Sequence, residues 1–263
     1  MRQGLVVLLV AAAGLAETKQ EHGRRVVHEA LEALGGRRFL AMQDRVETGR
    51  AYSFYREELS GLSIAKIYTK YVPRPQTAPA DFLGVRERQA FGKDEYSSVL
   101  FTGDAGWEIT FRGARPLPEE ALERYRASTL HNIFYILRQR LDEPGLLFES
   151  RGSEVWMNQP VEIVDVVDSE NRVVSVYFHR STKLPLRQVF YRRDPKTRRR
   201  IEEDMEFGKY RDVGGIQWPF TMVRRRDGEK VYEIFSESVA INQNLSDSLF
   251  QLPPNIKILK RPL

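Results

Sequence analysis

The fold prediction depends on the stretch YRDVGGIQWPF, residues 210–220. Gly214 and Gly215 predict a turn. Ile216, Trp218 and Phe220 follow at every second position, which places the three side chains on one face of a β-strand. Such an aromatic strand face is typical of a filled sheet core, and also of the wall of a hollow that holds an apolar ligand. Both interpretations stay open at the level of this stretch.

The same alternation with period two continues on both sides of the stretch. Between residues 146 and 240 it predicts a series of antiparallel strands, with turns at residues 168–171, 180–183, 194–197, 213–215 and 227–228. Further strands are predicted between residues 37 and 110, and two of them are expected to meet near Thr48 and Gly49. Residues 71–84 are rich in proline and predict a loop.

Two segments have helical periodicity instead. The first, residues 21–34, ends at Gly35 and Gly36, and the second, residues 118–141, starts after Pro116 and Pro118. One helix, several strands, a second helix and a long meander predict an α+β fold, in which helices cover one face of a large antiparallel sheet.

The N-terminal segment MRQGLVVLLVAAAGLA, residues 1–16, predicts export. Its apolar run over residues 5–16 has twelve residues, whereas a helix that spans a bilayer needs about 20. The basic Arg2 before the run, and the small Gly14 and Ala16 at its end, are typical of a secretory signal peptide. We therefore expect cleavage after Ala16 and a single exported domain over residues 17–263.

The composition and the motifs argue against several classes of function. The 263-residue chain has no cysteine, which removes disulfides, thiolate nucleophiles and cysteine metal sites. Its net charge of +5 indicates a mixed surface, so we expect no nucleic-acid binding. The four histidines are isolated in the sequence, and no nucleophile elbow or phosphate loop is found. We expect neither an enzyme nor a metal or cofactor site, although distant residues can also assemble into an active site.

Six short stretches, in this order along the chain, carry a family resemblance. They are LGG (34–36), FTGDAGWEI (101–109), HRSTKLPLRQVFY (179–191), YRDVGGIQWPF (210–220), RRRDGEKVYEI (224–234) and AINQNLSDSLFQLP (240–253). Together with the apolar N-terminal segment, the set resembles the LolA-like outer-membrane lipoprotein-sorting proteins of the Gram-negative periplasm. The resemblance extends from about Val26 to Pro253.

This resemblance implies an unclosed, strongly curved half-barrel whose concave face is covered by helices. It implies a monomeric, non-catalytic periplasmic carrier that binds acyl chains of lipoproteins or other lipids in a hydrophobic hollow. Arg86 and Arg88 are both candidates for the arginine that the family places before its Asp-Gly turn, as a polar contact of the hollow or its lid. The apolar residues expected to line the hollow are Trp218, Phe220, Ile216, Ile133, Phe134, Leu137 and Trp107.

Proteins of the same shape also act as regulators that sense mislocalised lipoproteins. The alternative function is therefore a lipid-sensing regulator or scaffold of the envelope that binds an inner- or outer-membrane protein partner. The proline-rich loop at 71–84 and the long helix at 118–141 depart from well-characterised carriers. These elaborations, and the lack of a unique match for the arginine before the Asp-Gly turn, affect the expected cargo more than the expected fold.

A cluster of arginines is predicted independently of the family. Successive turns of an up-and-down sheet alternate between its two ends, so the turns at 194–197 and 227–228 are expected at the same end. They are flanked by Arg198, Arg199, Arg200, Arg224, Arg225 and Arg226, which we call the hairpin-tip arginines. One interpretation is a solvated rim that protects strand edges. The other is a docking surface for anionic lipid headgroups or an acidic partner.

Overall fold

The protein contains one antiparallel sheet of 13 strands. The computed structural model describes residues 17–75, 77–79, 81–194 and 196–260, so the expected signal peptide at 1–16 lies outside the described residues. The strands are β1 (Asp44–Tyr55), β2 (Glu58–Tyr71), β3 (Val85–Phe91), β4 (Ser97–Phe101), β5 (Gly106–Thr110), β6 (Gly113–Pro116), β7 (Leu147–Trp156), β8 (Gln159–Val167), β9 (Val173–His179), β10 (Pro185–Arg193), β11 (Arg200–Asp212), β12 (Gln217–Arg226) and β13 (Glu229–Ile241).

The sheet consists of two meanders that are joined at their first and last strands. The strand order is β6-β5-β4-β3-β2-β1-β13-β12-β11-β10-β9-β8-β7, and the pairing of β1 with β13 joins the two halves. β6 and β7 are consecutive in the chain but lie at opposite edges, so the segment between them must cross one face of the sheet. The predicted fold is confirmed: α+β, with a large, curved, unclosed antiparallel sheet and helices over its concave face.

The helices are few, and most of them are short. They are α1 (Lys19–Leu34), α2 (Arg37–Leu40), α3 (Glu119–Leu130) and α4 (Ile133–Tyr135), which continues into a π-helical turn (Ile136–Arg140). α1 begins with a capping box, in which Thr18 and Glu21 exchange hydrogen bonds of 2.8 and 3.1 Å. Within the described part of the chain, no helix combines the length and the apolar character needed to cross a membrane.

α1 lies directly on the sheet because Gly23 within the helix and Gly35 just after its end permit close contact. A Cβ atom at Gly23 would lie 2.6 Å from the carbonyl oxygen of Phe148 in β7, and one at Gly35 would lie 2.5 Å from that of Gly215. The two double-glycine motifs therefore meet where α1 ends and the turn before β12 begins. The helix completes the main apolar core through Val26, Val27, Ala30, Leu31 and Leu34.

A smaller core lies on the opposite face of the sheet. Phe250, in a 3₁₀ turn at Asp247–Phe250, packs there against Tyr68 and Leu100. The same C-terminal segment forms a parallel bridge between Ile258 and Ala114 of β6. This half of the sheet is therefore covered on both faces, by helices on one and by the C-terminal segment on the other.

Two predictions of element boundaries are wrong. The helix predicted over 118–141 is interrupted, because the side chain of Asn132 accepts hydrogen bonds from the amides of Phe134 and Tyr135 (3.0 and 3.2 Å) and so starts a new helix. The strand junction predicted near Thr48 and Gly49 does not exist. β1 continues through a register shift at that point, and its turn to β2 follows Tyr55.

A buried ion-pair cluster fixes the crossing segment to the sheet. Arg140, whose side chain is 2% exposed, donates hydrogen bonds to Glu143 and Asp168 (both 2.7 Å) and to the carbonyl of Leu130 (2.8 Å). Asp168 lies in the turn between β8 and β9 and also accepts from Arg172 (2.7 Å). Burial alone raises the pKa of Asp168, but the hydrogen bonds from the two arginines outweigh it and lower the pKa overall.

We expect Asp168→Asn to lower the free energy of unfolding by about 3 kcal/mol, because Arg140 keeps its buried charge and loses a carboxylate. The folded-state pKa of Asp168 lies below the unfolded value. The wild-type protein should therefore lose this stabilisation as the pH falls through the lowered pKa, and the variant should lack that pH dependence. Urea unfolding at pH 7 and pH 3 measures both effects. Asp142→Asn, at an exposed neighbouring carboxylate, is the control. Equal stability of the two variants at pH 7 would contradict the prediction.

Candidate functional site

A half-open cavity of about 570 Å³ lies between the sheet and helices α3 and α4. Its walls come from β1–β4 on one side of the junction between β1 and β13, from β11–β13 on the other side, and from the two helices above. Its volume falls within the range of about 300–1,000 Å³ that is common for small-ligand pockets. The concave face is therefore filled under α1 and hollow under α3.

Strand alternation determines which side chains of β1–β4 line the cavity. All lining positions in these strands are odd-numbered. Eight of the ten form two rows of directly paired residues, and Tyr71 and Val85 form a further pair beside them. One row contains Arg45, Thr69, Glu87 and Phe101, and the next contains Glu47, Ile67, Gln89 and Val99. Each row combines charged or polar groups with apolar ones, so this wall is amphipathic.

The apolar part of the cavity is built around Trp218 and Phe134, whose ring centroids are 5.1 Å apart. On the helix side, the ring of Tyr125 stacks on that of Phe101 with a centroid distance of 3.6 Å. The sheet adds the apolar side chains of Met205, Met222 and Ile234. Aromatic and flexible thioether groups are a usual lining for pockets that accept apolar ligands.

Two opposite charges are buried beside Trp218. The guanidinium of Arg45 lies 4.0 Å from the centroid of the Trp218 ring and donates a hydrogen bond to Thr69 (3.1 Å). Glu47, whose side chain has 0% exposure, lies 3.6 Å from Arg45 and accepts a hydrogen bond from the hydroxyl of Ser236. The two charges compensate each other. The indole N–H of Trp218 has no acceptor among the described residues.

A second charged group lies farther along β12, toward its hairpin with β13. Arg224 and Arg226 of β12 and Arg124 of α3 line this part, which we call the cationic end. Arg226 and Arg224 approach Glu203 at 3.2 and 4.0 Å. Burial lowers the pKa of Arg224, the neighbouring Arg226 and Arg124 lower it further, and Glu203 opposes both effects.

Glu87 lies in the wall of the cavity, on the strand next to β2. Burial raises the pKa of its carboxyl group, although Gln89 donates a hydrogen bond to it and Arg45 is nearby. A raised pKa means that the surroundings of Glu87 destabilise the charged form of its carboxyl group.

The apolar residues expected to line the hollow have different positions. Trp218 and Phe134 line the cavity. Phe220 is buried beneath the guanidinium of Arg211, which lies 4.5 Å from its ring centroid, and does not line the cavity. The remaining residues on the concave face pack next to the cavity in the main core: Ile216, Ile133 and Leu137.

Trp107, Arg86 and Arg88 lie on the other side of the sheet. Trp107 packs in the small core beneath the C-terminal segment, in one row with Leu100 and Arg88. Arg86 and Arg88 flank Glu87 in β3, so strand alternation directs both side chains away from the cavity. The structure therefore does not bring these three residues together with Trp218.

The two hairpin tips lie next to each other, and their arginines are distributed among the exposed tips, the cavity and the opposite face of the sheet. Arg199 forms an ion pair of 2.9 Å with Asp227 across the two tips. Arg225 pairs with Glu206 at 2.9 Å, on the face opposite to the cavity. Arg198, Arg199 and Arg200 are exposed, whereas Arg224 and Arg226 line the cavity. The docking role of the tips stays a prediction.

Four residues of the site were not predicted from the sequence: Arg45, Glu47, Glu87 and Arg124. Arg45 and Glu47 occupy alternate positions of one strand, which was the available signal. Charged residues at alternate positions of a strand usually lie on its solvent-exposed face, so this pattern predicted the exposed face and not the cavity wall. Among the described residues, no group of three or more histidine, aspartate and glutamate side chains is placed to hold a metal ion.

No family model and no curated protein matches the chain by sequence. Solved structures do match it. A DUF1329 family protein from Desulfovibrio piger has a TM-score of 0.60 at 14% identity, over 89% of this chain and 98% of that one. A domain assigned to outer membrane lipoprotein sorting, from Vibrio parahaemolyticus, has a TM-score of 0.57 at 13% identity, over 88% and 97%. A LolA superfamily protein from Nitrosomonas europaea has a TM-score of 0.53 at 10% identity, over 87% and 97%.

A likeness at such low identity is a likeness of fold. Each of the three proteins is matched over almost its whole length, and most of this chain takes part in each match. The chain therefore has the fold of the LolA-like lipoprotein-sorting proteins, as the sequence resemblance implied.

Proposed function

We propose that this protein is a non-catalytic periplasmic carrier that binds acyl chains of lipoproteins or other lipids in the cavity under α3 and α4. The observation that carries the proposal is a cavity of about 570 Å³, with Trp218 and Phe134 in its apolar part, in a face that is otherwise filled. In this proposal residues 1–16 direct export and are removed after Ala16. Residues 17–263 act as one lipid-binding unit.

An acyl chain suits the apolar part of the cavity in chemistry and energy. Each CH₂ group removed from water contributes about 0.8 kcal/mol, so about ten enclosed methylenes contribute about 8 kcal/mol before the costs of ordering. The cavity is open on one side, which permits a lipid to enter and leave. Binding and release of this kind need no catalytic residue.

Trp218 provides a direct measurement of binding. In a variant with Trp107→Phe and Trp156→Phe, Trp218 is the remaining tryptophan, and its fluorescence should change saturably when delipidated protein is titrated with hexadecanol. The matched control carries Trp156→Phe and Trp218→Phe and keeps Trp107, which lies on the other face of the sheet. Its fluorescence should not respond. Absence of a saturable response in the Trp218 variant, together with no binding by calorimetry, would sink the proposal.

A bulky side chain in the cavity should compete with the lipid. Ser128 of α3 lines the cavity, so Ser128→Trp should exclude about two methylenes and weaken binding by more than about tenfold. Glu123→Trp adds the same ring to an exposed position of the same helix and serves as the control. Thermal unfolding checks that both variants fold. Equal lipid affinity in the two variants would place the lipid outside this cavity.

A lipid-sensing regulator is the second candidate function. The observation that favours it is the hairpin of β1 and β2, which exposes the apolar side chains of Tyr55, Leu59, Leu62 and Ile64. Exposed apolar groups gathered in one hairpin are typical of a protein contact. A carrier passes its lipid to acceptor vesicles, whereas a regulator binds a membrane-protein partner with an affinity that the lipid changes.

We further propose that the exposed arginines of the hairpin tips attach the protein to anionic membranes. Arg198, Arg199 and Arg200 are all exposed. Arg199 is partly compensated by Asp227, and the guanidinium of Arg200 lies 3.6 Å from the ring centroid of Tyr191. Near an anionic bilayer each arginine contributes about 1 kcal/mol of binding energy.

Reversal of these three charges should therefore weaken attachment. The variant with Arg198, Arg199 and Arg200 each changed to Glu should bind phosphatidylglycerol vesicles at least about 100-fold more weakly than wild type at low salt, and high salt should remove the difference. Cosedimentation measures it. Arg37, Arg56 and Arg112 are exposed at other places, so their reversal to Glu gives a control of equal net charge. If both variants sediment alike, the tips are only a solvated rim.

A further inference from the structure

We propose that the lipid held in the cavity carries an oxyanion head group, a carboxylate or a phosphate, which binds at the cationic end formed by Arg124, Arg224 and Arg226. The inference rests on the proposed binding of acyl chains and adds the chemical class of the ligand. The protein should therefore bind lipids with an anionic head group more tightly than lipids with a neutral head group.

The apolar and cationic parts of the cavity are separated by the length of a lipid. Trp218 and Arg224 both belong to β12, six residues apart, which is about 20 Å at about 3.3 Å per residue. The hydrocarbon core of a bilayer is two acyl chains deep and about 30 Å thick, so one chain accounts for about 15 Å. A chain that reaches Trp218 therefore places its head group near Arg224.

The cationic end has more positive charges than the protein compensates. Arg192, Arg226 and Arg224 share the single carboxylate of Glu203, at 2.8, 3.2 and 4.0 Å. Arg124 has no carboxylate within 4 Å among the described residues. Guanidinium groups in this position form strong, charge-assisted hydrogen bonds with carboxylates and phosphates.

The other charges of the cavity do not compete for this role. Arg45 is compensated by Glu47 at 3.6 Å and lies against the ring of Trp218. It therefore does not attract a head group to the apolar part of the cavity, which is left to the acyl chain. Glu87 lies in the same row as Arg45 and accepts a hydrogen bond from Gln89, and burial raises its pKa, so it repels an anionic head group less than an isolated carboxylate does. Arg198, Arg199 and Arg200 lie outside the cavity, so binding measured without membranes reports on the cationic end.

The test compares four lipids with the same sixteen-carbon chain. Delipidated protein is titrated by calorimetry, below the micelle concentration, with palmitate, 1-palmitoyl lysophosphatidate, hexadecanol and hexadecyltrimethylammonium. At least one of the two anionic lipids should bind about tenfold more tightly than hexadecanol, since one charge-assisted hydrogen bond accounts for that difference. The cationic lipid should bind more weakly than hexadecanol.

Substitutions then place the head group. Arg124→Gln and Arg224→Gln should each reduce the preference for the anionic lipid over hexadecanol about tenfold, because each substitution weakens binding of the anionic lipid far more than binding of hexadecanol. Arg225→Gln makes the same change at the next residue of the strand, whose side chain pairs with Glu206 on the other face, and should keep the preference. Arg124→Gln breaks no ion pair among the described residues, so it keeps the test decisive if Arg224→Gln does not fold.

Each outcome has a defined meaning. Preference for palmitate alone assigns a fatty acid, and preference for lysophosphatidate alone assigns a phospholipid-derived ligand; both support the inference. Equal binding of hexadecanol and both anionic lipids, or a preference that survives both substitutions, overturns the head-group inference and leaves the carrier proposal standing. If none of the four lipids binds, the carrier proposal fails, and this inference fails with it.

Discussion

The chain segment between β6 and β7 determines the architecture of the concave face. These strands are consecutive in sequence but form opposite edges of the 13-stranded sheet. Twelve spacings of about 4.8 Å place the edges about 58 Å apart along the sheet, so the segment must cross a whole face. Curvature of the sheet around the segment shortens this path. The segment is fixed near one edge by the ion pair of Arg140 with Asp168, and near the other by the stacking of Tyr125 on Phe101.

Two helices that cover the same face at different distances explain why part of it is hollow. α1 approaches the sheet closely because Gly23 has no side chain beneath it, and its apolar stripe completes the main core. α3 buries only Leu130 completely, and the residues that it turns toward the sheet include Arg124 and Tyr125. Long polar side chains hold a helix away from a sheet, since their ends need polar partners or solvent. Stability therefore comes mainly from the filled half, which leaves the other half free to hold a ligand.

The sequence predicted the class of fold, because the turns of the second meander contain residues that favour turns and the strands between them alternate regularly. It did not predict which aromatic residue faces the cavity. Trp107 and Trp218 both follow a glycine turn in a strand, yet they lie on opposite faces. Alternation alone does not choose between two faces that are both covered, since the choice depends on pairing with strands distant in sequence. The break at Asn132 was missed for a similar reason, because apolar periodicity continues through a side chain that caps a new helix.

The charged residues of the cavity wall are better explained by binding than by folding. The main core under α1 is made of apolar side chains, so strands of this sheet can be covered on the concave face without charged side chains. Arg224 and Glu87 are half-buried, and desolvation shifts the pKa of each toward its neutral form, so their partial burial carries a cost. Apolar residues of similar volume avoid that cost. With these charges, the wall changes from apolar at Trp218 to cationic at Arg224, whereas the wall of an entirely apolar hollow has the same polarity throughout. This change in polarity orients an amphiphile, with its acyl chain toward the ring of Trp218 and its head group toward the guanidinium groups.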